Sequence, residues 1–124
     1  MNSNESIRTF GGAAELDFSG KGLGSADVKV LAELLKDNKT AKVLNVMSNK
    51  IGPEGAKPFG ELLKTNNTLT QLDVSDNKIE AEGAAALADG LLSNSVLLCL
   101  NVMGNKIGPE GAKSVGALLK TNNT

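Results

Sequence analysis

After residue 12 the chain divides into four stretches of 28 residues with none left over: 13–40, 41–68, 69–96 and 97–124. The second and fourth are nearly the same text, VLNVMSNKIGPEGAKPFGELLKTNNT at 43–68 and CLNVMGNKIGPEGAKSVGALLKTNNT at 99–124. A fixed period of this length without insertions marks a solenoid. One such unit cannot bury its apolar side alone and does so only by stacking on its neighbours. Function is therefore expected on a surface rather than in a pocket. The organisation read from the period is a polar N-terminal segment, 1–12, followed by one repeat domain, 13–124.

Within each repeat the apolar positions sort into two halves. Leu16, Leu44, Leu72 and Leu100 share one position, and Phe18, Val46, Val74 and Val102 share another two residues on. The polar residue between them gives a period of two, so each repeat opens with a short strand. Leu23, Ile51, Ile79 and Ile107 follow after a turn. Asn49, Asn77 and Asn105 recur just behind the strand, with Lys21 in their place in the first repeat. An amide there can bond the backbone of the adjoining turns, and stacked repeats would line these amides into a ladder.

The second half of each repeat reads as a helix. Ala56, Phe59, Gly60 and Leu63 have helical spacing on one face. Pro53 and Pro109 suit a first helical position, where no backbone donor is required. Glu54, Glu82 and Glu110 fall in the first turn, and Lys36, Lys64 and Lys120 in the last, as the helix dipole favours. Lys29 with Glu33 and Lys57 with Glu61 are spaced for i,i+4 pairs on a solvated outer face. Pro58 lies inside its helix, removes one backbone donor and is expected to kink that turn.

Strand, turn, helix and return make a right-handed crossover, and stacking such units gives a parallel sheet on one side and helices on the other. Helices need more room than strands, about 10 Å against about 4.8 Å. The expected fold is therefore an α/β right-handed solenoid, an arc with the sheet on its concave face and the helices on its convex face.

The pattern LxxLxVxxNKIGxEGAxxLxxxLxxN, clearest over 41–124, resembles the ribonuclease-inhibitor type of leucine-rich repeat, as in the repeat domains of NOD-like receptors. The first repeat departs from it, with Lys21 for the ladder Asn and Asp27 where the others have Gly55, Gly83 and Gly111. That departure suits an N-terminal cap. The resemblance implies a horseshoe arc and a role in binding other proteins, and it names no ligand.

Composition narrows the chemistry. The chain has no His, Trp or Tyr and a formal charge of −1. Without His it lacks the commonest general base and metal ligand near neutral pH, and the charge gives no reason to expect nucleic acid or an anionic membrane as partner. No apolar run approaches the roughly 18 residues of a membrane span, and MNSNESIRTF has no apolar signal region. A single Cys99 forms no internal disulfide, so a reduced, cytoplasmic setting is expected. Gly20-Lys-Gly-Leu-Gly24 sits between strand and helix, but its spacing is that of a turn and not of a phosphate loop. The sequons at Asn4, Asn38, Asn66 and Asn122 read as polar turns rather than glycan sites. Cys99 has no basic partner in sequence. Glu15, Asp17 and Asp73 lack ligand spacing. The expectation is a non-enzyme with no metal and no cofactor.

The candidate contact residues are those on the sheet that face away from the core. They are Val43, Asn45, Met47, Gln71, Asp73, Ser75, Cys99, Asn101 and Met103, with Glu15, Asp17 and Ser19 in the first row. Met47 and Met103 tip the second and fourth rows, and Met suits adaptable contact surfaces. A protein partner on this concave face is the first expectation. The second concerns the last repeat, where an apolar strand reaches the edge of the array. Two expectations follow there: the repeats are a fragment of a longer array, or Leu97, Leu98, Val102 and Leu119 are candidates for self-association into a homo-oligomer, because exposed apolar edges invite pairing.

Overall fold

The computed structural model describes residues 14–113. The N-terminal segment 1–12 and the candidates Leu119, Lys120 and Asn122 lie outside the described residues. Four three-residue strands alternate with helices: β1 (Glu15–Asp17), α1 (Ser25–Leu35), β2 (Val43–Asn45), α2 (Gly52–Thr65), β3 (Gln71–Asp73), α3 (Glu80–Leu91) and β4 (Cys99–Asn101). A further helical stretch covers 108–113.

The strands form one parallel sheet in the order β1-β2-β3-β4. Leu16 pairs with Leu44, Leu44 with Leu72 and Leu72 with Leu100, so the register equals the sequence period. The ladder extends past the strands through Phe18 N to Asn45 O at 2.8 Å, Val46 N to Asp73 O at 2.9 Å and Val74 N to Asn101 O at 2.9 Å. This is an α/β solenoid of two layers. Because helices are wider than strands, the sheet lines the inner side of the arc.

Between the layers runs a single core. Leu16, Leu44 and Leu72, then Phe18, Val46 and Val74, then Leu23, Ile51 and Ile79 are buried in three columns. Val28, Leu31 and Leu35 of α1, Phe59 and Leu63 of α2, and Leu87 and Leu91 of α3 close it from the helix side. Leu100, Val102 and Ile107 of the fourth repeat are only half-buried against it. The helix face carrying Ala56, Phe59, Gly60 and Leu63 is buried throughout.

Two rows of asparagine hold the repeats together. In the first, Asn49 Oδ1 accepts from the backbone N–H of Lys21 (2.9 Å) and Leu23 (3.0 Å), while its amide nitrogen donates to Phe18 O (3.0 Å) and Val46 O (2.7 Å). Asn77 and Asn105 repeat the arrangement one and two rungs on. The second row runs behind the helices. Asn66 Oδ1 accepts from Thr68 N and Leu69 N, and its amide donates to Leu35 O at 3.1 Å. Asn94 bonds to Leu63 O, Val96 N and Leu97 N in the same way. This second row makes the sequon at Asn66 a buried structural amide, with its nitrogen committed to the neighbouring repeat.

Pro53 lies in the first turn of α2, and the helix runs through Pro58 without interruption. The charges of the helix layer pair differently from the i,i+4 expectation. Lys57 meets Glu54 at 3.2 Å and Glu82 of α3 at 3.1 Å instead of Glu61. Lys64 lies 3.1 Å from both Glu61 and Asp89 of α3. The adjacent helix offers each lysine a second carboxylate, which a single helix cannot. No ion pair joins Lys29 to Glu33 among the described residues.

Candidate functional site

Alternation along the strands turns Leu16, Leu44 and Leu72 inward and leaves their neighbours on the other face of the sheet. Parallel register then draws these outward residues into rows. Glu15, Val43, Gln71 and Cys99 form one row, and Asp17, Asn45, Asp73 and Asn101 the next. Glu15, Gln71 and Cys99 are exposed, and Val43 is half-buried between them.

The second row has a local task. Asn45 Oδ1 accepts from Met47 N at 3.0 Å, and Asn101 Oδ1 from Met103 N at 3.0 Å. Asp17 accepts from the backbone and hydroxyl of Ser19 at 2.9 and 2.7 Å, and Asp73 from those of Ser75 at 2.9 and 2.6 Å. Each side chain closes an Asx turn that ends its strand. The residue just beyond that turn's third position has a left-handed backbone in every repeat: Gly20 (φ +63°), Ser48 (+56°), Asp76 (+55°) and Gly104 (+67°). The signal was present in sequence, since only Asp or Asn occupies this position.

Ser75 does not sit as a free contact residue. It is 5% exposed and its hydroxyl is committed to Asp73. Met47 is half-buried, and Met103 is 74% exposed. The accessible side chains of the face are thus Val43, Gln71 and Cys99 on one row and Met47 and Met103 at the strand ends. Asn45, Asp73 and Asn101 contribute the free sides of their turn-capping groups.

Electrostatically the face is mild. The hydroxyl of Ser19, helped by its backbone N–H, holds the Asp17 carboxyl below its ordinary value of 3.8. Cys99 is an exposed free thiol. Among the described residues no group of His, Cys, Asp or Glu side chains is placed to hold a metal ion, and every buried side-chain nitrogen and oxygen has a hydrogen-bond partner. No helix among the described residues is long and apolar enough to cross a membrane. The loop Gly20–Gly24 is a strand-to-helix turn with Gly20 and Gly22 left-handed at φ +63° and +73°. At its end, Asp27 Oδ2 accepts from Gly24 N at 2.9 Å and caps α1. A cleft of about 250 Å³ lies on the helix side between α1 and α2, lined by Ala32, Glu33, Lys36, Pro58, Glu61, Leu62 and Thr65.

On the self-association side, Leu98 is 67% exposed. Leu97 and Val102 are half-buried and pack on the core.

Comparison with known proteins adds three findings. The Leucine Rich repeat family model matches residues 37–60, 65–88 and 93–116, three segments that start 28 residues apart. Among solved structures, the chain is similar to one described as "Leiomodin-1 Actin-Binding Site 2 (ABS2)". The TM-score is 0.83 at 22% identity, covering 98% of this chain and 73% of that one. It is also similar to the tropomodulin C-terminal domain of Caenorhabditis elegans, with a TM-score of 0.65 at 15% identity over 99% of this chain and 94% of that one. At these identities the likeness is one of fold. Comparison with curated protein sequences gave no match.

Proposed function

This chain belongs to the leucine-rich-repeat family, and we propose that it acts as a non-enzymatic protein-binding scaffold that meets its partner with the concave sheet face. The observation that carries this reading is the register of the sheet. It sets Val43, Gln71 and Cys99 in one accessible row, with Met47 and Met103 beyond the strand ends. Repeat arrays use such extended inner surfaces for binding, and adaptable Met side chains suit a contact patch without aromatic anchors. The 28-residue register and the 14-residue helix α2 support assignment to the ribonuclease-inhibitor type of repeat. The reading includes a cytoplasmic setting, in which Cys99 stays a free thiol.

Because the leiomodin-1 structure is described as an actin-binding site, actin is the first partner to try. A photo-crosslinking residue placed at Met47 or Met103 should capture the partner, and one at Lys57 on the helix side should not. Capture from Lys57 alone would move the contact to the convex face.

A second reading rests on the exposure of Leu98 and Met103 around β4. The fourth repeat would then self-associate through Leu98, flanked by Leu97 and Val102. Light scattering at high micromolar concentration should show an oligomer that Leu98→Lys converts to a monomer. A strict monomer for the unaltered chain removes this reading.

A further inference from the structure

The turn that follows each strand carries charge in a regular place. Lys50, Lys78 and Lys106 come directly after the ladder residues Asn49, Asn77 and Asn105. The ladder locks the backbone there: Asn49 N donates to Asn77 Oδ1 at 3.1 Å and Asn77 N to Asn105 Oδ1 at 2.7 Å. The three lysines therefore stand in one row along the stacking direction, their backbones about 4.8 Å apart from repeat to repeat. All three are exposed, and none enters an ion pair among the described residues. Asp76 and Glu80 share the loop of Lys78 and leave it unpaired. Lys57 and Lys64 of α2 differ, since each is held between two carboxylates.

Two unfavourable terms accompany the row. Like charges on a rigid spine repel, less in water than in a protein interior but not to zero. Lys78 and Lys106 also hold left-handed backbone, at φ +55° and +52°. At the same position the first repeat has Gly22, at φ +73°. Glycine meets this geometry without strain, so the backbone does not require lysine at 78 and 106, just as it does not require Ser48, Asp76 or Glu80, which hold the same geometry nearby.

We propose that the Lys50–Lys78–Lys106 row is a second partner surface, which receives an acidic α-helix laid along the rim of the sheet. The match is one of charge and spacing. Carboxylates at i and i+4 on a helix stand about 5–6 Å apart, close to the step of the lysine row. Alternate residues of an extended strand stand about 6.6 Å apart and fall out of step. This surface lies beside the sheet face and does not depend on the contacts proposed there.

The test uses the full chain and two alanine-based helical peptides of equal charge. One carries Glu at i, i+4 and i+7 in a stripe, and the other has the same Glu residues spread around the helix. Binding is read by fluorescence anisotropy at several salt concentrations. The striped peptide should bind more tightly, and less so as salt rises. Lys50→Gln/Lys78→Gln/Lys106→Gln should lower its affinity about tenfold, the sum of three exposed charge contacts. Lys78→Gly/Lys106→Gly should weaken binding while leaving the melting temperature unchanged or higher, which separates lost charge from lost fold. Met47→Ala/Met103→Ala should bind the peptide normally, so failure here and failure of the sheet-face reading are distinguishable. Equal binding of the two peptides, full binding by the triple variant, or tighter binding of heparin at equal charge would each overturn the proposal.

Discussion

Asn77 Oδ1 accepts the backbone N–H of Asn49 at 3.1 Å, one full repeat away in sequence and one rung away in space. The same oxygen takes Ile51 N at 3.4 Å, and the amide nitrogen donates to Val46 O, Val74 O and Ser75 O at 2.9, 3.0 and 3.0 Å. The residue is fully buried. Asn77→Ala would strand two donors, Asn49 N and Ile51 N, where water does not reach, while the three carbonyls keep partners in the Asn49 amide, the Asn105 amide and Ser48 N. A buried polar group without a partner costs about 1–3 kcal/mol. With partial relaxation the expected loss is about 3 kcal/mol, which lowers the melting temperature by about 10–20 °C. Asn101→Ala, which opens only an Asx turn, should cost about 1 kcal/mol. Urea denaturation of both variants checks the order. Equal costs would mean that the ladder adds nothing beyond a local turn.

Gly60 and Gly90 bring α2 and α3 together backbone to backbone. A Cβ at position 90 would collide with Gly60 O and lie 3.0 Å from its carbonyl carbon and 3.1 Å from its Cα. A solvent-facing helical Gly→Ala change gains about 1 kcal/mol from propensity. Here the obstacle is main chain, so the helices must separate, at about 1–3 kcal/mol for overpacking. Gly90→Ala is expected to destabilise by about 1–2 kcal/mol. A stabilised variant would show that the two helices part freely.

The pH response follows from three exposed groups. Asp17 is held below its ordinary value by the Ser19 hydroxyl first and the Ser19 backbone second. A depressed carboxylate contributes stability above its unfolded value near about 3.9 and loses it as pH falls through the folded value. Lys57 is raised by hydrogen bonds to Glu82 and Glu54, and Lys64 by those to Asp89 and Glu61. Their contribution is complete below the unfolded value near about 10.4 and disappears as pH rises through the folded one. Exposure keeps all three effects small. Ser19→Ala should move the Asp17 titration, followed by NMR of its carboxyl carbon, upward toward the ordinary range. An unmoved titration would remove the hydroxyl as the cause.

Much of this was legible in the residues, for a physical reason. A solenoid repeats its environment, so each core column shows as one residue type at a fixed interval, as with Leu16, Leu44 and Leu72. The Asn49–Asn77–Asn105 row was visible on the same ground. What escaped the reading depends on contacts between repeats at unequal positions, or on backbone shape. Gly60 and Gly90 occupy different places in their repeats, so periodicity cannot pair them. Glu82 competes for Lys57 from the next helix, which an i,i+4 rule does not consider. The outward direction of Asn45, Asp73 and Asn101 predicts contacts, whereas the turn after each uses a side-chain oxygen. Ser75 is buried by the same turn. The sequon at Asn66 reads as a polar turn, but its amide reaches the neighbouring helix end at Leu35 O, as that of Asn94 reaches Leu63 O, and periodicity alone does not show these partners.

Binding through the sheet face is tested most directly by comparing the unaltered chain with Met47→Asp/Met103→Asp and with Lys57→Glu as a helix-side control. Each is used to capture proteins from cells that make it, with quantitative mass spectrometry of what is retained and circular dichroism to confirm equal folding. A partner should be held by the unaltered chain and by Lys57→Glu and lost, about tenfold or more, from Met47→Asp/Met103→Asp, because a carboxylate forced into an apolar contact must be left without a partner. Retention of the same partner at the same level by the Met47→Asp/Met103→Asp chain would contradict it.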